Sequence, residues 1–201
     1  MMKKISAFLM TALFFVLIVS CEKEQVQSVI PSVDPMDISS GDVEFRGDDC
    51  FNFNKAKFES CFSGVYFEIG DKKYQGLGAC AQEGWAGNYK GWWSSYVFLP
   101  PTQNGKGAIH YKLVHKFWID EFNYFYTEDR AVCAPAKGTS DVCIINDQMS
   151  IAGGVGIFAN VKGKIKTHGY INYATSGCPY PCAEPILGLL SLELHGHVCM
   201  N

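Results

Sequence analysis

The chain has 201 residues, a formal net charge of −3 and 48% hydrophobic residues. So mild an acidity gives no electrostatic footprint for nucleic acid and excludes that class of partner. Twenty glycines, fourteen phenylalanines and ten tyrosines, with no apolar stripe at helical spacing, point to an all-β class.

Met1 to Ser20 opens with Lys3 and Lys4 and continues as an apolar run from Ile5 to Val19. A charged start and a short apolar run describe a secretory signal, too short for an ordinary membrane span. Ile18-Val19-Ser20-Cys21 resembles the bacterial lipobox. The resemblance implies cleavage before Cys21 and acylation of its thiol and new amino group, so that lipid, not a protein helix, holds the chain to a membrane. Residues 1–20 are therefore expected to be a lipoprotein signal peptide, 21–42 a flexible tether with prolines at 31 and 35, and 43–201 a single domain. Glu22-Lys23-Glu24 resembles the acidic tags that send some lipoproteins to the outer face of the outer membrane. The expected location is a bacterial cell envelope, lipid-anchored at the outer membrane, with the leaflet left open.

Strands are expected near 43–47, 62–69, 73–80 and 91–99. In the last of these, Trp92, Tyr96 and Phe98 alternate with Trp93, Val97 and Leu99, and Trp85 and Tyr89 lie just before it. One set must be buried; the other could stack on sugar rings or a flat ligand, which makes Trp92, Trp93 and Tyr96 candidate binding residues. Pro100 to Gly105 reads as a loop. A strand over 108–119 places Ile109, Tyr111, Leu113, Phe117 and Ile119 on one face with His115 among them. A histidine there reads first as a hydrogen-bonded core residue, and it is also the leading candidate for a polar group inside a ligand cavity. Asp120-Glu121 makes a turn, Phe122 to Thr127 returns as a strand, and Glu128-Asp129 ends it; these four carboxylates could supply acid/base chemistry, but at strand ends they are expected on a solvated rim.

A loop containing Cys133, Pro135, Gly138 and Cys143 precedes a strand at 142–145. Gly153, Gly154, Gly156 and Gly163 then punctuate Ile, Val and Phe, the pattern of a strand bending through a tight corner. No G-x-G-x-x-G or phosphate-loop spacing is present, so the glycines do not read as a nucleotide cradle. Ile165, Thr167, Gly169, Ile171 and Tyr173 alternate with polar residues as the next strand. The last strand, 188–199, sets Leu190, Leu192, Leu194, Gly196 and Val198 against Glu193, His195 and His197. Those three are weak metal-ligand candidates in a row, competing with an ordinary solvent face. No metal or other cofactor is expected.

With Cys21 set aside for lipid, Cys50, Cys61, Cys80, Cys133, Cys143, Cys178, Cys182 and Cys199 are an even set in an exported chain, which suggests disulfides. Connectivity stays open. Short separations favour Cys50–Cys61, Cys133–Cys143 and Cys178–Cys182, leaving Cys80–Cys199.

Ile151 to Gly163, IAGGVGIFANVKG, is similar to the I-T-G-G-T-G-R-F-x-x-A-x-G signature of the allene oxide cyclase-like and dirigent-like β-barrels. Ala152, Val155, Ile157 and Val161 depart from it; the glycine and phenylalanine skeleton is kept. The resemblance implies a small antiparallel barrel with an apolar, cofactor-free interior, a fold on which some relatives isomerise substrates or steer radical coupling. The expectation is thus an all-β, calycin-like antiparallel barrel of about eight strands, stapled by disulfides, with a sandwich second. Its expected role is a non-enzymatic binding module for a small apolar ligand, because no nucleophile–base pair stands out. The alternatives are a glycan-contacting surface protein and, by analogy of fold, a cofactor-free isomerase or cyclase.

Overall fold

The computed structural model describes residues 50–175 and 177–200. Cys21, the leader, the tether and the strand expected at 43–47 lie outside these. The described chain forms β1 (Cys50–Ile69), β2 (Lys72–Ala79), β3 (Gln82–Ala86), β4 (Tyr89–Gln103), β5 (Ile109–Trp118), β6 (Tyr124–Pro135), β7 (Val142–Val155), β8 (Val161–Asn172) and β9 (Ala183–Met200). Among the described residues there is no α-helix, only a 3-10 turn at Gly156–Phe158.

All pairings are antiparallel, in the order β2-β1-β9-β8-β7-β6-β5-β4-β3. The two edge strands are consecutive in the chain, joined only by Cys80 and Ala81. So short a link reaches about 10 Å. The edges must therefore meet, and the sheet curls into a half-barrel. The expected all-β, disulfide-stapled barrel class is what the chain adopts, with nine strands. β2 runs on along the edge of β4 beyond Trp93, where Ser94 Oγ donates to the Ala79 carbonyl at 2.8 Å and the Ala79 N–H donates to Ser95 Oγ at 3.1 Å. A Cβ on Gly78 would stand 1.9 Å from the Ser95 carbonyl oxygen, so this seam needs a glycine.

Alternation decides what fills the concave side. Leu190, Leu192, Leu194 and Val198 of β9 meet Ile165 and Ile171 of β8, Ile145 and Met149 of β7, and Tyr111, Leu113 and Phe117 of β5. One end is closed by rings: Trp93 lies 5.0 Å from Phe117 and 5.5 Å from Phe125, and Phe158 packs on both phenylalanines. The glycine corner serves this packing, because a Cβ on Gly154 would come within 2.1 Å of the Phe158 carbonyl oxygen. A second apolar layer forms outside, where Phe67, Ile69 and Tyr74 of the β1–β2 hairpin cover Val114 and Tyr124. β5 is thereby buried on both faces.

Several expected boundaries move for local reasons. β1 starts at Cys50, well before position 62, because a bulge at Lys55 (φ 56°) lets Phe51 and Phe53 share the inner face with Ala56 and Phe58, which hides the period-2 signal. β3 was not anticipated. β4 continues through Pro100-Pro101, expected as a loop, since the ladder to β5 shifts register between Val97 and Leu99 and again before Thr102, where no proline N–H is needed. β6 does not end at Asp129 but runs on to Pro135.

The eight cysteines pair as Cys50–Cys199, Cys61–Cys178, Cys80–Cys182 and Cys133–Cys143. Only the hairpin pair, Cys133–Cys143, follows short separation. Cys50 and Cys61 sit on one strand and are held about 35 Å apart by its extension, whereas Cys50 faces Cys199 in register across β1 and β9. Cys178 and Cys182, with Sγ atoms 3.4 Å apart, are each bonded elsewhere, and Cys80 takes Cys182 rather than Cys199.

Candidate functional site in the half-barrel

His115 keeps the inner phase of β5 between Leu113 and Phe117, and curling brings two aspartates to it. On β6, the inner phase of Phe125 and Thr127 continues to Asp129, with Ala131 next. On β7, Ile145, Asp147 and Met149 face inward. Asp147 Oδ2 lies 3.1 Å from His115 Nε2, and Asp129 Oδ2 lies 3.4 Å from the same nitrogen. The side chains are 8% (His115), 3% (Asp147) and 0% (Asp129) exposed. Thr127 Oγ1 contacts both oxygens of Asp129, at 3.1 and 2.9 Å. Thr167 of β8, opposite Asp147 in register, completes the polar group.

Asp129 corrects the expectation of a solvated rim. The residue is interior because β6 is longer than its apolar alternation suggests, with Thr127 and His115 beside its carboxylate. Asp120 and Glu121 do occupy the exposed β5–β6 turn, and Glu128 points outward.

The electrostatics follow from burial. Loss of water drives the Asp129 pKa up to about 7, despite the opposing pull of His115. Burial disfavours the His115 imidazolium, but Asp129 and Asp147 outweigh it and its pKa is raised. Among the described residues, two side-chain polar atoms are buried without a partner, Asp147 Oδ1 and Thr167 Oγ1. Both residues border a cavity with about 400 Å³ of atom-free space, counting its open mouth. Its walls are mainly apolar, including Val97, Leu113, Ile145, Ile171, Leu190 and Leu192, while Ser95, His115, Asp147 and Thr167 supply the polar end. At its far side Tyr111 lies 3.2 Å, hydroxyl to hydroxyl, from Tyr173, whose pKa burial pushes up.

The other candidate residues separate. Trp93 is core, its indole N–H donating to the Trp85 carbonyl at 3.4 Å, and it borders a smaller pocket beside His115. Trp92 lies on the outer face opposite Trp118 of β5. Tyr96 is held under the hairpin edge-on to Tyr74, 5.5 Å between ring centres. Trp85 is 59% exposed. His195 Nε2 lies 2.6 Å from Glu193 Oε1 on the outer surface. Among the described residues, groups of three metal-ligating atoms within 4.8 Å of one another occur at His115, Asp129 and Asp147, and at Cys61, Cys178 and Cys182. The cysteines are disulfide-bonded, and Glu193, His195 and His197 do not form such a group.

His115 was legible from its place in an apolar alternation. Asp147 carried the same signal, an acid in phase with Cys143, Ile145 and Met149, and was missed because the strand was expected to stop at 145. Asp129 was named but assigned to a solvated rim, because its strand was expected to end there. No family model, no characterised protein and no solved structure matches the chain.

Proposed function

We propose that the chain is a lipid-anchored binding module of a bacterial cell envelope, non-enzymatic, whose half-barrel interior takes a small, largely apolar ligand. The observation that carries this reading is the cavity itself: apolar walls converging on one polar end with two unpartnered buried oxygens. Ligand sites commonly join such walls to a few oriented polar groups. The allene oxide cyclase-like resemblance of 151–163 supports the same reading, since it implies an apolar barrel interior. Anchoring rests on Cys21 and the leader before it; among the described residues no helix is long and apolar enough to cross a membrane.

Native mass spectrometry of the oxidised chain, extracted in mild detergent from its producing cells, tests this. A small organic mass should leave on denaturation, and its binding should slow exchange along 109–118. A chain that carries and rebinds nothing, with that strand unaffected by any extract, counts against the module. Exposed Trp85 and the Trp92–Trp118 pair favour a second reading, a glycan-contacting surface. Tryptophan quenching by oligosaccharides, lost on Trp92→Ala, would move the site to the outer face.

A further inference from the structure

The polar end of the cavity has more acid than its histidine can serve. Nε2 of an imidazole carries at most one hydrogen. Here it faces two carboxylate oxygens, at 3.1 and 3.4 Å, and hydrogen-bonds only the nearer, that of Asp147. Among the described residues, no lysine or arginine pairs with either aspartate. Two carboxylates in an apolar interior are costly unless a cation compensates them.

We infer that His115, Asp129 and Asp147 bind a divalent first-row metal ion. Donors about 2.0–2.2 Å from such an ion, at angles of about 90–110°, stand about 3.0–3.5 Å from one another. The two nitrogen–oxygen distances fall in that interval, and all three ligand atoms lie within 4.8 Å. The ion's double charge neutralises both aspartates. Thr127 contacts both oxygens of the Asp129 carboxylate and so orients it, as groups behind a metal ligand do. Asp147 Oδ1 and Thr167 Oγ1 are buried and unpartnered, on residues opposite each other in β7 and β8, so polar capacity beside the three ligands is unused. One imidazole with two carboxylates suits zinc, manganese or iron(II) and not the soft ions that prefer sulfur. Three protein ligands leave a coordination position towards the cavity, where an oxygen of a small molecule can sit.

The test uses the folded, disulfide-bonded full chain in mild detergent, stripped with a chelator, and the metals alone. Cobalt(II) should give a visible absorption that saturates at one equivalent and is displaced by zinc. Zinc at about a hundredfold over its dissociation constant should raise the melting temperature by about 5–10 °C. Asp147→Asn and Asp129→Asn should each weaken binding at least about tenfold, and His195→Gln should leave it unchanged. If a carboxylate variant does not fold, nitrogen NMR of the unsubstituted chain decides: zinc should shift His115 Nε2 and leave His195 in place. No saturable cobalt band up to millimolar metal overturns the site, as does a band that survives both carboxylate variants or a zinc shift confined to His195. No organic ligand enters these measurements, so a missing ion leaves the apolar-ligand reading standing, and a bound ion does not require it.

Discussion

His115 and Lys116 are neighbours in the chain, both buried, and point to opposite faces of β5. Lys116 is enclosed because the β1–β2 hairpin folds over the outer face; its Nζ donates to the Glu68 carbonyl and stands 4.3 Å from the centre of the Tyr124 ring. Burial pulls its pKa down to about 8, with Glu68 opposing. Its needs are met locally, by one carbonyl and the faces of the Trp118 and Tyr124 rings. His115 meets two acids, one of which keeps a buried oxygen unpartnered beside open space. Burial of a charged group is therefore a poor marker of a site. Unmet hydrogen-bonding capacity next to a cavity separates the two positions.

The strongest way to break the contrast is to remove what both faces stand on. Phe117, fully buried among Trp93, Phe125 and Phe158, should cost about 3–5 kcal/mol on Phe117→Ala. Denaturant unfolding should show that loss, with ligand and metal binding both weakened; a cost under about 1 kcal/mol would mean the ring cluster does not support the interior.

Stability measured against pH should divide the faces in metal-free protein. Asp129, with its pKa raised from 3.8 to about 7, holds a proton in the folded state that the unfolded chain has released, so stability falls as pH rises between those values. His115, raised above 6.5, adds stability below that pH and loses it as pH climbs through its folded value. Lys116 runs the other way. With its folded pKa lowered from 10.5 to about 8, the folded state binds fewer protons in that interval, and stability rises across it. Asp129→Asn should flatten the first slope alone and Lys116→Met the second alone; a single variant removing both would show the faces to be coupled.

The smallest expected effect sharpens the comparison most. Lys116→Met keeps the apolar stem and should leave interior binding intact. A loss of binding on this substitution would extend the site through β5 to the outer face.

The alternation of β5, β8 and β9 could be read directly, because a strand with two unlike faces prints a period of two and each of these is regular over its length. β1 and β4 were harder, since bulges at Lys55 and after Val97 change which parity faces inward. The hairpin's cover over β5 has no local signal: Phe67 and Tyr74 look like ordinary strand residues until the hairpin is seen to cross Val114 and Tyr124. In the candidate site, His115 was visible and its partnership with Asp129 and Asp147 was not, because strands read as ending at 129 and 145 hid the inward phase of both acids.

By itself the sequence determined the class of fold, the inward faces of the regular strands and the glycine corner, since backbone pleat and the absence of a Cβ act within a few residues. The tertiary structure decided which cysteines pair and which acids meet the histidine. Those contacts join residues far apart in the chain, such as Cys50 with Cys199 and His115 with Asp147. They depend on strand register and on the curl forced when two consecutive strands become opposite edges of one sheet.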